Sequence, residues 1–115
     1  MPVRDFGWEA LLYALLLKGG KAPARDIACI VVETLRKHDL LFWKPFKDPL
    51  QQPEYHSALR YCQAYGLVSM RLSSGEHLEL TDIGVDVAKS VRSSLPTDIK
   101  TTIERLATQG LRSEG

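Results

Sequence analysis

Glycine and proline cut this chain into pieces too short for any fold built on long helices. Gly19-Gly20, Pro23, Pro45, Pro49, Pro53, Gly66 and Pro96 divide the 115 residues into segments that can each form one short element or a loop. Proline has no N–H to donate and clashes with the preceding helical turn, and glycine supplies the positive φ at which helices stop. Between these breakers apolar residues recur at helical spacing in five places. A helix is expected over 6–18, with Trp8, Leu11, Leu12, Leu15 and Leu16 inward but Tyr13 and Leu17 also apolar on the other side. A second is expected over 24–38 on Ile27, Ile30, Val31 and Leu35, after a short extended link at 21–23. A third, over 54–65, carries Tyr55, Ala58, Leu59 and Cys62 on one face and His56, Ser57, Arg60 and Gln63 on the other. Thr81 caps a fourth, whose stripe reads Ile83, Val87, Val91 and Leu95 with Ala88 alongside. The fifth starts after Pro96 and carries Ile99, Ile103 and Leu106. Alternation over 67–72 and 76–80, joined by Ser73-Ser74-Gly75, predicts a β-hairpin. The stretch 39–53 is apolar, aromatic and proline-rich, and reads as a short strand followed by an ordered loop.

Composition narrows the function classes. Hydrophobic residues make up 44% of the chain, enough for a core, and the formal net charge is +1, which argues against a strongly basic nucleic-acid binder of the histone kind. Cys29 and Cys62 both fall in apolar helical patterns and read as buried free thiols, suited to a reducing cytoplasm. The longest apolar run, 10–17, is far short of the roughly 20 residues of a spanning helix, and no signal-peptide pattern surrounds it. The expectation is a cytoplasmic protein with no membrane association.

The stretch Ala58-Leu59-Arg60-Tyr61-Cys62-Gln63-Ala64-Tyr65-Gly66-Leu67-Val68 resembles the end of a winged helix-turn-helix recognition helix running into its wing. Leu80-Thr81-Asp82-Ile83-Gly84 stands where that superfamily commonly ends its second wing strand in Leu-Thr-x-x-Gly. The resemblance covers about 6–95 and is to small bacterial and archaeal regulators of the multiple-antibiotic-resistance, arsenical-resistance and phenolic-acid-repressor types. It implies a mainly α fold with a small β-hairpin: a three-helix core, a two-stranded wing and C-terminal helices. On that basis residues 1–95 form a winged helix domain, 96–110 a C-terminal helix able to serve dimerisation, and 111–115 a tail. The segment 39–53 departs from the pattern as an insertion where the family has a short turn.

The same resemblance implies that the exposed face of the third helix enters a major groove while the hairpin touches the backbone. Between Arg36 and Arg71 six cations stand against three carboxylates, a surplus of three, which leaves the rest of the chain at −2. Candidate DNA contacts are therefore His56, Ser57, Arg60 and Gln63 on the helix, Lys44 and Lys47 on the insertion, and Arg71 and Ser74 on the hairpin. Arg60 suits guanine and Gln63 adenine, because each side chain can pair bidentately with that base edge. The cluster Arg36-Lys37-His38 is explained by the helix dipole alone.

Nothing points to catalysis, a metal or another cofactor. His56 and Cys62 lack ligand spacing, Gly19-Gly20 is not followed by a phosphate-loop pattern, and Asp82 and Asp86 complement a helix start. The leading expectation is a sequence-specific duplex-DNA-binding transcriptional regulator, acting as a homodimer through Tyr13, Leu17, Ile99, Ile103 and Leu106. The competing one is a winged helix used as a protein-interaction module in a larger complex, with the 39–53 aromatics as the partner surface.

Overall fold

In the computed structural model, which describes residues 6–72 and 75–109, the order of elements is α1 (Gly7–Leu17), β1 (Lys21–Pro23), α2 (Ala24–Lys37), α3 (Pro53–Ala64), β2 (Val68–Arg71), β3 (His77–Leu80), α4 (Asp82–Ser94) and α5 (Thr97–Gln109), with a 3-10 turn at Pro49–Gln51 before α3. The molecule is mainly helical with one small antiparallel sheet.

α1 occupies the centre. Ala10 to Leu15 are all buried, Tyr13 included, because α2, α3, α4 and α5 all pack against this helix. A helix apolar all round is what such a position requires. The sequence expectation of an apolar outer face left over for a second chain is thereby corrected. α5 folds back on α1 and α2, and Ile99, Ile103 and Leu106 are 6%, 0% and 7% exposed. Tyr13 donates its hydroxyl to Glu104 of α5, and burial together with that carboxylate pushes the phenol up to about 12. Of the five residues expected at a dimer seam, only Leu17 is exposed. The other four are buried within their own chain. Ile103→Asp is accordingly expected to unfold the chain, because an unpaired buried charge costs several kcal/mol of the ~5–15 kcal/mol that holds a domain together. Circular dichroism should show no cooperative melt; a well-folded variant would contradict this packing.

The sheet has three strands in the order β1-β3-β2. The 21–23 link is itself a strand, pairing Lys21 with Glu79, Ala22 with Leu78 and Pro23 with His77. Pro23 is tolerated because β1 is an edge strand, where a missing N–H leaves no ladder bond unmade. On the other side Val68 faces Leu80 and Met70 faces Leu78.

Three helices end in the same device, in which the second residue beyond the cap donates its N–H back into the last turn. Gly20 reaches Leu15 O, Leu40 reaches Leu35 O, and Leu67 reaches Cys62 O, each at 2.8 Å. The intervening residue must take positive φ, which Gly19 and Gly66 do freely. At the end of α2 that place is held by Asp39, at φ 57.

The segment 39–53 contains no strand. Its backbone is pinned by two side chains at the start of α3. The Glu54 carboxylate accepts from Phe42 N at 2.6 Å and Trp43 N at 2.8 Å, while Gln52 Oε1 accepts from Phe46 N at 2.7 Å. Gln52 Nε2 donates to Glu54 Oε1 at 2.9 Å and to Lys44 O at 3.3 Å. The fourth stripe is also rotated from its expected position: Gly84, Ala88 and Val91 are buried, whereas Ile83 is 60% exposed.

Candidate nucleic-acid interface

α3 begins at Pro53, whose fixed φ and absent N–H suit the first helical turn. Its inward face is Tyr55, Ala58, Leu59 and Cys62, all buried. Burial pushes the Cys62 thiol up to about 12, so it is an inert core group. The outward face holds His56, Ser57, Arg60 and Gln63, all exposed. His56 meets the Tyr55 ring edge-on, with centroids 5.9 Å apart. Among the described residues, Ser57, Arg60 and Gln63 make no side-chain hydrogen bond or ion pair. Their donors are free for an external acceptor.

A groove of about 360 Å³ runs between this face and the sheet, lined by Gln51, Tyr55, His56, Arg60, Gln63 and Met70 with the Glu76 carboxylate at its side. The Tyr55 hydroxyl is buried without a partner among the described residues, and burial, with Glu76 adding to it, pushes the phenol up to about 12.

The remaining sequence candidates separate. Lys44 and Lys47 are exposed on the 39–53 loop and take part in no ion pair among the described residues. Arg71 is exposed but held across the hairpin by Glu79, Nε to Oε1 2.9 Å, so much of its charge is locally neutralised. Ser74 lies outside the described residues. Arg36 and Lys37 share Glu33, whose carboxyl the Arg36 hydrogen bond holds below the usual range against the opposing effect of burial. One carboxylate against two cations leaves this cluster a surplus of one positive charge.

Two features escape the sequence reading. Trp8 of α1 stacks on Tyr61 of α3 at 4.8 Å between centroids, and Tyr65 meets Tyr61 tilted by 42° at 4.7 Å, so three rings gather at the C-terminal end of α3. The spacing of Tyr61 and Tyr65 is a visible signal; the Trp8 partnership is tertiary. The Gln52–Glu54 clamp is the other, and only the carboxylate's place in the first turn of α3 hints at it.

Among the described residues no three His, Cys, Asp or Glu side chains gather as a metal site would need, and no helix is long and apolar enough to cross a membrane. No family model matches the chain, and neither a curated protein nor a solved structure matches it.

Proposed function

We propose that this protein binds duplex DNA, with α3 laid in the major groove as the reading element of a winged helix-turn-helix domain. The observation that carries the reading is the outer face of α3, where Ser57, Arg60 and Gln63 stand exposed with no partner among the described residues. Three further facts support it. The hairpin β2–β3 follows α3 directly, as a wing would. The two sequence motifs meet in space: Thr81 Oγ1 donates to Gly66 O at 2.6 Å and accepts from Gly84 N at 3.0 Å, joining the turn after α3 to the start of α4. Lys44 and Lys47 offer unneutralised charge on the loop that runs into α3. In this reading Arg60 and Gln63 take base edges, while Lys44 and Lys47 take phosphates. The role that follows is regulation of transcription by occupying a duplex site.

The test is a division of labour. Arg60→Ala is expected to cost about 1–3 kcal/mol of discrimination for a selected site while changing nonspecific affinity less. Lys44→Ala with Lys47→Ala is expected to weaken all sequences alike, since phosphate contacts carry no base information. Anisotropy titrations against selected and scrambled duplexes separate the two. Equal effects from both variants would refute the assignment.

A second reading, a winged helix that docks protein, is favoured by one observation: Glu79 already holds the hairpin's Arg71, and Glu76 adds negative charge beside the groove.

A further inference from the structure

We propose that the 39–47 loop is a stacking platform for an unpaired nucleotide of a single-stranded nucleic acid, with Phe42 and Trp43 as the ring surfaces and Lys44 and Lys47 as the phosphate-side cations. The ring niche shares no lining residue with the groove beside α3 and does not rest on the duplex reading, while Lys44 and Lys47 serve phosphates in both.

The first support is presentation. Phe42 is 87% exposed, Trp43 54% and Phe46 45%, although apolar rings of this size ordinarily seek the core. They are not on a loose loop. Glu54 holds the N–H groups of Phe42 and Trp43, and Gln52 holds Phe46 N. A ligand meeting these rings finds their backbone already ordered, so the binding cost of fixing it is small.

The second is shape. Phe42, Trp43, Leu41 and Lys44, with Arg36 and Asp39 at the edge, line a niche of about 250 Å³. The Phe42 and Trp43 rings meet edge to face, 77° apart with centroids at 5.9 Å, so the pair occupies one face of one ring and leaves the other faces to a base. A base inserted against one ring meets the edge of the other. Base–aromatic stacking of this kind tolerates sequence, because every base has a π-face.

The third is chemistry. Lys44 and Lys47 alternate with the rings along the chain and make no ion pair among the described residues, which matches a polyanion that stacks. A peptide adding to the loop as a strand would find its edge already used, since Phe42 and Trp43 donate to Glu54 and Lys44 O accepts from Gln52. Asp39 adds a further detail. It holds a left-handed backbone position where glycine carries no strain, and its carboxylate makes no hydrogen bond or ion pair among the described residues. At the rim of the niche it is an acceptor for base N–H groups.

The experiment is anisotropy of a labelled, mixed-sequence single-stranded oligonucleotide with the full chain, beside the same sequence as a duplex. Phe42→Ala with Trp43→Ala is expected to lower single-strand affinity roughly tenfold or more and to leave the thermal melt in place, because both rings are outside the core. Trp43→Phe should retain most of the affinity, and Arg60→Ala should leave it unchanged while weakening the duplex. Absence of single-strand binding at low salt, or affinity unaltered by losing both rings, would overturn the proposal and leave the loop as a protein-docking patch. Parallel losses for single strand and duplex in every variant would also overturn it, by showing one shared surface.

Discussion

A Gly84→Ala variant is expected to lose about 3 kcal/mol or more of folding stability, although Gly→Ala inside a helix ordinarily gains ~1 kcal/mol. The sign reverses because of what lies against the α-carbon. A Cβ built at Gly84 would stand 1.9 Å from the carbonyl oxygen of Leu67 and 2.9 Å from its carbon. Those are backbone atoms, and they cannot rotate away as a side chain would. Leu67 O also accepts from Thr81 N at 3.0 Å, so moving it apart breaks the bond that joins the start of β2 to the start of α4. Urea unfolding should show a lower midpoint with an unchanged slope, or no folded baseline at all. A variant as stable as the parent would mean that α4 does not press on Leu67 as described.

The second large effect is expected at Glu54. Its carboxyl is pulled in two directions: burial raises its pKa, and hydrogen bonds from Gln52 and from the N–H groups of Trp43, Glu54 itself and Phe42 together outweigh burial and hold it below the usual range. Glu54→Ala would leave the Phe42 and Trp43 N–H groups without their acceptor, each at a cost of about 1–3 kcal/mol where water cannot replace it. The pH dependence has a defined sign. Because the folded-state pKa is depressed, the contribution of Glu54 is fully present above the unfolded carboxyl value of about 4.3 and is lost as pH falls through the lower, folded value. Glu54→Gln should therefore flatten the acid limb of the stability profile and also release the 39–47 loop to amide hydrogen exchange. An unchanged acid limb would show that Glu54 does not hold the loop.

Much of the fold is legible in the sequence because its punctuation is chemical. Gly19, Gly66 and Pro53 end or start helices for reasons that need no tertiary context, and Thr81 caps α4 with its own hydroxyl. What fails is what depends on neighbours. The apolar back of α1 looked like surplus surface, yet it faces α5 of the same chain, and nothing in periodicity says which helix covers which. Helical spacing puts Ile83 in the buried stripe of α4, yet it is 60% exposed, because the adjacent Gly84 is the residue that lies against Leu67. Lys21–Pro23 looked like a link because its strand partner lies more than fifty residues away. In the candidate site, the outward set of α3 followed from helical spacing, whereas the pairing of Arg71 with Glu79 and the clamp on the 39–53 loop are contacts between side chains that sequence spacing does not encode.

The proposed meeting of the free cations and amides around α3 with a duplex is tested by affinity for a mixed-sequence duplex as a function of salt. Lys44, Lys47 and Arg60 are the candidate cations with no carboxylate partner among the described residues. A plot of log K against log salt is expected to be linear with a slope of about −2 to −4, corresponding to a few phosphates neutralised, and to become shallower by about 2 in Lys44→Ala with Lys47→Ala. Absence of binding at about 50 mM salt, or affinity indifferent to salt, would contradict it.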